Sequence, residues 1–536
     1  MTELTLVLKG GTVLDGSGAA GVRADVGLAG GRIAAVAPEL DGAAVLDCAG
    51  LVVAPGFLDT HSHSDVKVLA DPKLPMKVRQ GITLEVFGQD GISVAPVREA
   101  ERASWRQKLT GLLGDFGVRW DWSTVGEYLA RVSAAGPALD VAYLAPHGAL
   151  RQHVLGGGAR PASATELEAM QALLDESLAA GACGMSTGLI YPPCCYGDTD
   201  ELVALGRVLA RSRTPLVVHM RSESDRVLEA LDEMLTVARR SGCAVHVSHL
   251  KIAGRQNWPR AAELIERVEA ARAEGLRITA DQYPYAAGST LLGAILPPWV
   301  HDGGVEAALE RLADPDARAR MRADMAADGP SDWDNFWGWS GPEGIVVSDV
   351  PSGRHPELVG LSLADVARAR ECDPFEAAFQ LLLEERLGVA MVSFSQDEQV
   401  VERFLRLPWV NACTDGLLGG RPHPRAYGSY PRILGRYVRE RKVLSLAEAV
   451  RKMTSQAADA FGFSDVGRVA EGLRANLVVF DADRVADRAT FQDPLQYSVG
   501  LCHVLVGGRV VVRDEQLTGE RPGRIQRGPL GPNGRG

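Results

Sequence analysis

The feature that most constrains this chain is the alternation, from about residue 56 to residue 415, of short apolar β-type runs with amphipathic helical stretches such as 164–180, 225–241 and 258–275. Alternation of this kind signals a parallel sheet whose strands are joined by crossover helices. Eight strand candidates can be written out: 56–63 (GFLDTHSH), 83–90 (TLEVFGQD), 141–147 (VAYLAPH), 184–187 (GMST), 215–219 (PLVVH), 244–249 (AVHVSH), 277–281 (RITAD) and 410–415 (VNACTD). They predict an α/β fold, a (β/α)8 TIM barrel, in which residues at the C-terminal strand ends converge on one face. Two further apolar runs, 345–348 and 389–394, exceed the count, and either could displace one of the eight.

Both chain ends read differently. Near the start, runs 4–9 and 26–29 are each followed by a glycine pair, and 504–511 (VLVGGRVV) repeats the pattern near the finish, after the strand-like 475–480. Glycine pairs suit tight hairpin turns because glycine tolerates positive φ. Neither end offers enough strands for a stable sheet, so the two are expected to build one small β-sandwich domain together. The expected division is 1–54 and 465–520 for that domain and 55–464 for the barrel, with an insert at about 292–344 rich in tryptophan (Trp333, Trp337, Trp339). The Gly-, Pro- and Arg-rich tail 521–536 is expected to be an extended arm or frayed terminus.

At 536 residues the chain is too long for one core, and its 46% apolar and 23% charged content is that of an ordinary globular protein. No apolar run reaches membrane-spanning length and the N-terminus carries no basic-then-apolar leader, so a cytoplasmic protein without membrane association is expected. A net charge of −11 argues against broad binding to nucleic acid or anionic membrane surfaces and leaves room for a local basic pocket; the expected partner is a small-molecule substrate. Oligomeric state is not readable. Eight scattered cysteines do not form a disulfide framework, and the adjacent Cys194 and Cys195 lack CxxC geometry.

Chemistry concentrates at the strand ends. His61 and His63, two apart on a strand, would face one side and could chelate one cation. Such a pair alone is often structural. Its weight comes from His219, His249 and Asp415, which also terminate strand candidates where a barrel would bring them together. Asp415 could be a mere turn or cap residue, or, beside a zinc-type ion, a ligand that accepts a proton from the attacking water. His246 precedes its strand end and is expected to be structural or to support the ligands; His147 ends the third candidate and is a weaker site candidate.

These residues sit in motifs that resemble the N-acyl-D-amino-acid deacylase family of the amidohydrolase superfamily: 56–63, 88–96 (GQDGISVAP), 186–193 (STGLIYPP), 219–223 (HMRSE), 246–251 (HVSHLK), 281–289 (DQYPYAAGS), 414–416 (TDG), 423–425 (HPR), 430–432 (YPR) and 491–494 (FQDP). The resemblance implies a zinc (Zn2+) enzyme with one or two ions, ligated by His61, His63, Asp90, His219, His249 and Asp415, with Asp415 also the catalytic acid–base. Family members typically carry cysteine where this chain has Asp90. A carboxylate can bridge two cations but is a harder ligand than thiolate, so metal preference is left open. No lysine stands at the fourth strand to bridge metals after carbamylation. The resemblance further implies that Lys251, Tyr283 and Arg425, with Ser289 nearby, receive the substrate carboxylate; as solvated charges or a packed ring they would have no such role. The implied reaction is hydrolysis of an N-acyl-D-amino acid to a carboxylate and a free D-amino acid. The alternatives are a cyclic amide or imide hydrolase on the same barrel, and a non-catalytic scaffold.

Overall fold

The computed structural model describes residues 3–529. Eight parallel strands form a ring: β1 (Phe57–Asp59), β2 (Ile82–Phe87), β3 (Asp140–Tyr143), β4 (Met185–Gly188), β5 (Pro215–His219), β6 (Ala244–Val247), β7 (Ile278–Gln282) and β8 (Val410–Ala412). β1 to β3 pair in sequence, and Ala145–Pro146, directly after β3, carries the pairing on to β4 and so to β8. The ring closes where the Asp415 amide donates to the His61 carbonyl at 2.8 Å and Ser62 bridges Gly416. Every strand candidate therefore contributes to the barrel. Strands covered on both faces should be apolar throughout, and all six residues of β2 are buried.

Crossover helices cover the ring. The helix Ala164–Ala180 begins in a capping box, Ser163 and Glu166 each accepting from the other's backbone N–H, and stops at Gly181 in a left-handed conformation. Val227–Ser241 and Ala261–Ala273 fall within the stretches read as helical.

The barrel strands are shorter than the sequence suggests. β1 ends at Asp59, so His61 and His63 are not alternate residues of one strand; they lie in the segment beyond it. Asp90, His249 and Asp415 likewise follow the ends of β2, β6 and β8.

The runs 345–348 and 389–394 displace no barrel strand. They fall in Ile345–Asp349 and Ala390–Ser393, which pair antiparallel with each other, and Ala390–Ser393 also with Gly288–Leu291. The excursion between β7 and β8 thus starts before residue 292 and runs past 344, and it buries its own apolar cluster from Leu292 to Met391.

Strands from both chain ends share one nine-stranded sheet, joined where Leu477–Phe480 pairs antiparallel with Val52–Pro55. Gly30–Gly31 and Gly507–Gly508 make hairpin turns, all four with positive φ. Gly10–Gly11 does not. The strand Leu6–Val13 runs straight through it with a register shift between Leu8 and Gly11, a bulge that replaces the expected turn. The described part of the tail is no frayed end: Gln526 donates to the Val141 carbonyl at 2.7 Å, and Val141 donates to the Arg524 carbonyl at 2.9 Å, laying the arm along β3. No helix among the described residues is long and apolar enough to cross a membrane.

Beneath the closing seam lies Lys77, fully buried, its ammonium 2.9 Å from Asp59, 2.8 Å from Glu85 and 2.8 Å from the Thr414 hydroxyl. It sets one positive charge between two buried carboxylates on β1 and β2 while gripping the segment after β8, and burial, with Asp59, still holds the Glu85 carboxyl above its usual range. Lys77→Met should destabilise the barrel by about 3–5 kcal/mol, because both carboxylates lose their counter-charge. Urea denaturation would read this, and an unchanged midpoint would refute it.

Candidate active site

Three of the predicted ligand residues have backbone conformations that side-chain-bearing residues rarely adopt: Asp90 (φ 56°), His249 (φ 37°) and Asp415 (φ 49°). Left-handed backbone just past a strand end turns the side chain back over the barrel mouth, and strain of this kind collects at functional sites. The Asp90 turn is tied down locally. The Gly91 amide donates to the Ser186 hydroxyl at 3.0 Å, and Gln89 donates to the Thr60 carbonyl at 2.8 Å. Gly88 has φ +79°, and a Cβ there would meet the Leu144 carbonyl oxygen at 2.2 Å, so only glycine fits.

The six residues predicted as ligands come together, all buried. His219 Nδ1 lies 3.0 Å from His249 Nε2, and these two atoms lie 3.8 and 3.5 Å from Asp90 Oδ1. On the other side, His63 Nε2 lies 3.6 Å from Asp90 Oδ2 and 3.2 Å from Asp415 Oδ1, while His61 Nε2 is 3.6 Å from both Asp90 Oδ1 and Asp415 Oδ1. Asp90 thus stands between two histidine pairs.

This donor set fits a zinc-type ion. Tetrahedral ligands with bonds of about 2.0–2.1 Å stand roughly 3.3 Å apart, close to the separations found here. On the side facing the ligand set, Nε2 of His61 and Oδ1 of Asp90 are buried without a hydrogen-bond partner, an arrangement that is costly unless a cation uses those lone pairs. Burial alone would raise the Asp90 carboxyl, but His61 and His249 outweigh it and hold it well below the usual range. Asp415 is also lowered: burial opposes this, and the Arg425 guanidinium and His61 overcome it. Both carboxyls are therefore ionised at neutral pH.

The predicted carboxylate receivers line the same cavity. Neither Lys251 nor Arg425 is a solvated surface charge. Arg425 is fully buried, its Nη1 2.9 Å from Asp415 Oδ2, its Nη2 donating to the Ser289 carbonyl at 2.9 Å, and its guanidinium 4.4 Å from the Tyr283 ring centre. The Tyr283 hydroxyl accepts from Gln396 at 2.8 Å, which leaves its own proton to donate. Ser289 lines the cavity, but its hydroxyl proton goes to the Met391 carbonyl.

Two histidines stay outside. His246 bridges Thr279 and Asp281, and Asp281 in turn accepts from the Thr60 hydroxyl and the His249 amide, so His246 supports the ligands from below. His147 is committed to Thr187 at 2.9 Å and Glu201 at 2.7 Å and joins no ligand group. Among the described residues, Cys194 and Cys195 form no disulfide and no part of any such group.

Sequence reasoning missed Glu223. Its Oε1 lies 2.7 Å from Lys251 and 3.1 Å from His249 Nδ1, and its Oε2 lies 3.4 Å from His219 Nε2. It therefore holds the outward nitrogens of two ligand-type histidines, the role a carboxylate plays behind metal-bound imidazoles. Its place four residues after His219 in the HMRSE motif was the available signal. Asp334, from the excursion, was also missed: it accepts from the Ser222 and Ser224 hydroxyls at 2.7 Å each and from the Glu223 amide at 2.8 Å. Nothing in the sequence marks an aspartate more than a hundred residues away as the anchor of that loop.

A fold of this kind with a buried set of histidines and carboxylates at the C-terminal strand ends defines a metal-dependent barrel hydrolase. The amidohydrolase family profile matches residues 44–512. N-acyl-D-glutamate deacylase of Alcaligenes xylosoxydans xylosoxydans is 38% identical over 98% of this chain and 97% of its own length. D-aminoacylase of the same organism is 34% identical over 97% of each chain. The crystal structure of N-acyl-D-glutamate deacylase from Bordetella bronchiseptica, complexed with zinc and a phosphonate that mimics the tetrahedral intermediate, aligns with a TM-score of 0.83 at 34% identity, covering 98% of this chain and 100% of that one. The chain belongs to the amidohydrolase family.

Asp334→Ala should leave three buried donors unpaired and cost about 2–3 kcal/mol locally. Hydrogen exchange should then speed up over residues 222–226 and 331–339; identical exchange in variant and parent would remove Asp334 from this role.

Proposed function

We propose that this protein is an N-acyl-D-amino-acid deacylase that uses a zinc centre. The observation that carries the reading is the meeting, in one buried cavity, of a metal-type ligand set with a cationic cluster able to receive a carboxylate. His219, His249 and Asp90 would hold one ion; His61, His63 and Asp415, sharing Asp90, would hold a second. When bound, zinc supplies Lewis-acid polarisation of the scissile carbonyl and activation of water.

The remaining steps belong to the chain's own side chains. Asp415 takes the proton of the attacking water and delivers it to the departing amine. Arg425 holds Oδ2 of Asp415 and leaves Oδ1 turned toward His61 and His63, which fixes where the proton is received. Lys251, Tyr283 and the unpaired Nε of Arg425 hold the free α-carboxylate, and Glu223 keeps Lys251 and the rings of His219 and His249 in place. Hydrolysis of a cyclic amide does not in itself require a clamp for a free carboxylate, so this cluster favours the linear N-acyl-amino acid. The D-configuration is supported by the names of the relatives. The eight unpaired cysteines support a cytoplasmic setting.

Elemental analysis of the purified protein should find zinc, and amine release should be seen from N-acetyl-D-amino acids and not from the L-series. Bound metal with neither series cleaved would overturn the substrate and leave the site. Asp415→Asn should lower kcat by about 10²–10⁴-fold, the usual worth of a general acid–base. Stripping the metal with a chelator should abolish turnover, and added zinc should restore it; activity that survives full removal would sink the reading.

A further inference from the structure

Asp90 reaches both histidine pairs with separate oxygens. Its Oδ1 lies 3.8 and 3.5 Å from His219 and His249 and 3.6 Å from His61, while Oδ2 lies 3.6 Å from His63. A carboxylate shared in this way serves both pairs only while its plane is aimed between them. Whatever fixes the Asp90 backbone therefore bears on the whole ligand set.

That backbone has φ 56°, a left-handed conformation that aspartate keeps only where its surroundings impose it. Strand β4 is the floor beneath it. A Cβ on Gly188 would stand 2.4 Å from the Asp90 carbonyl oxygen, and one on Gly91 would stand 2.9 Å from Thr187 Cα, so the turn lies directly on the strand backbone. The polar grip comes from Ser186 on the same strand, fully buried. Its hydroxyl accepts from the Gly91 amide at 3.0 Å and donates to the Gly88 carbonyl, so one oxygen closes both ends of the turn 88–91. The other holds are one-sided: Asp65 accepts from the Gly88 amide at 2.9 Å, Gln89 donates to the Thr60 and Val86 carbonyls, and the Cys194 thiol reaches the Gly91 carbonyl at 3.7 Å. Ser186 itself belongs to no ligand group. It lines neither the site cavity nor the second cavity, of about 240 Å³, that shares Tyr191 and Phe336 with it, so it acts on the centre through the Asp90 turn.

We propose that Ser186 is a positioning residue of the metal centre: its double hydrogen bond aims the Asp90 carboxylate at both histidine pairs and so governs the affinity for two ions at once. The proposal rests on the zinc-centre part of the deacylase reading and is independent of the substrate. Without the hydroxyl, the Gly91 N–H and the Gly88 carbonyl are left buried and unpaired, and the turn gains by leaving the left-handed conformation to find new partners. The carboxylate then swings off both pairs together. Loss of one histidine would act first on the ion that it holds.

The test is zinc affinity, measured on metal-free protein reloaded in steps against a chromophoric chelator, for the parent, Ser186→Ala and Ser186→Cys. Ser186→Ala should weaken both binding steps by about 10–100-fold, the usual worth of a group that orients a ligand. Ser186→Cys fills the same place with a weaker donor and acceptor and should fall between the two; it carries the test if the alanine variant does not fold. Cobalt-loaded variant protein should show displaced d–d absorption bands, a signature of altered ligand geometry that a loss of stability alone does not produce. Parent-like affinity, weakening of one step only, a parent that takes up a single ion, or cobalt bands identical to the parent's would each overturn the proposal while the metal centre stands. A parent that binds no zinc would instead bring down the zinc reading, and this proposal with it.

Discussion

Closure of the strand ring between β1 and β8 is the constraint on which the rest of this structure depends. The seam is short: a backbone bond from Asp415 to His61, the Ser62–Gly416 bridge, and the buried Lys77 joining Asp59, Glu85 and Thr414. Because the first and last strands meet there, residues some 350 positions apart become neighbours, and His63 comes within 3.2 Å of Asp415. The cost of burying Lys77 is offset by two carboxylates and a hydroxyl. The same arrangement fixes the registry of the segments that carry His61, His63 and Asp415.

The electrostatics of the site follow from that closure. Asp90, Asp415 and Glu223 are held ionised in a buried space with Lys251 and Arg425. Three carboxylates face Lys251, Arg425 and His249, whose imidazole, against burial and Lys251, is pushed up to about 9 by Glu223 and Asp415; a divalent ion bound by the imidazoles would take the place of that proton. Arg425 touches both halves of this arrangement. It pairs with Asp415 and stacks on Tyr283, so the group suited to a substrate carboxylate also sets the position of the proton acceptor.

The excursion between β7 and β8 is part of the site as well as a cover for it. It packs around its own apolar cluster, and Asp334 reaches from it to pin the peptide that carries Glu223. Through Glu223 that anchor reaches His219, His249 and Lys251. Phe336, from the excursion, and Tyr191 line both the metal-type centre and the neighbouring cavity.

The sequence by itself determined the eight barrel strands, the joining of both ends in one sheet and the six strand-end residues that meet at the mouth. The strands are encoded locally, in apolar periodicity; His61, His63, His219, His249 and Asp415 are marked as the polar residues that end the runs, and Asp90's place among the ligands by the family resemblance. Tertiary structure alone decided the rest. Left-handed turns at Asp90, His249 and Asp415 carry those residues just past their strand ends, and His61 and His63 lie beyond the end of β1, where strand alternation was expected. The Gly10–Gly11 bulge looked like a turn because glycine permits both, and only pairing with Val22–Ala29 chooses. Glu223 and Asp334 gained meaning from what lies across space from them, and a carboxylate in sequence carries no mark of the partner that the fold brings to it.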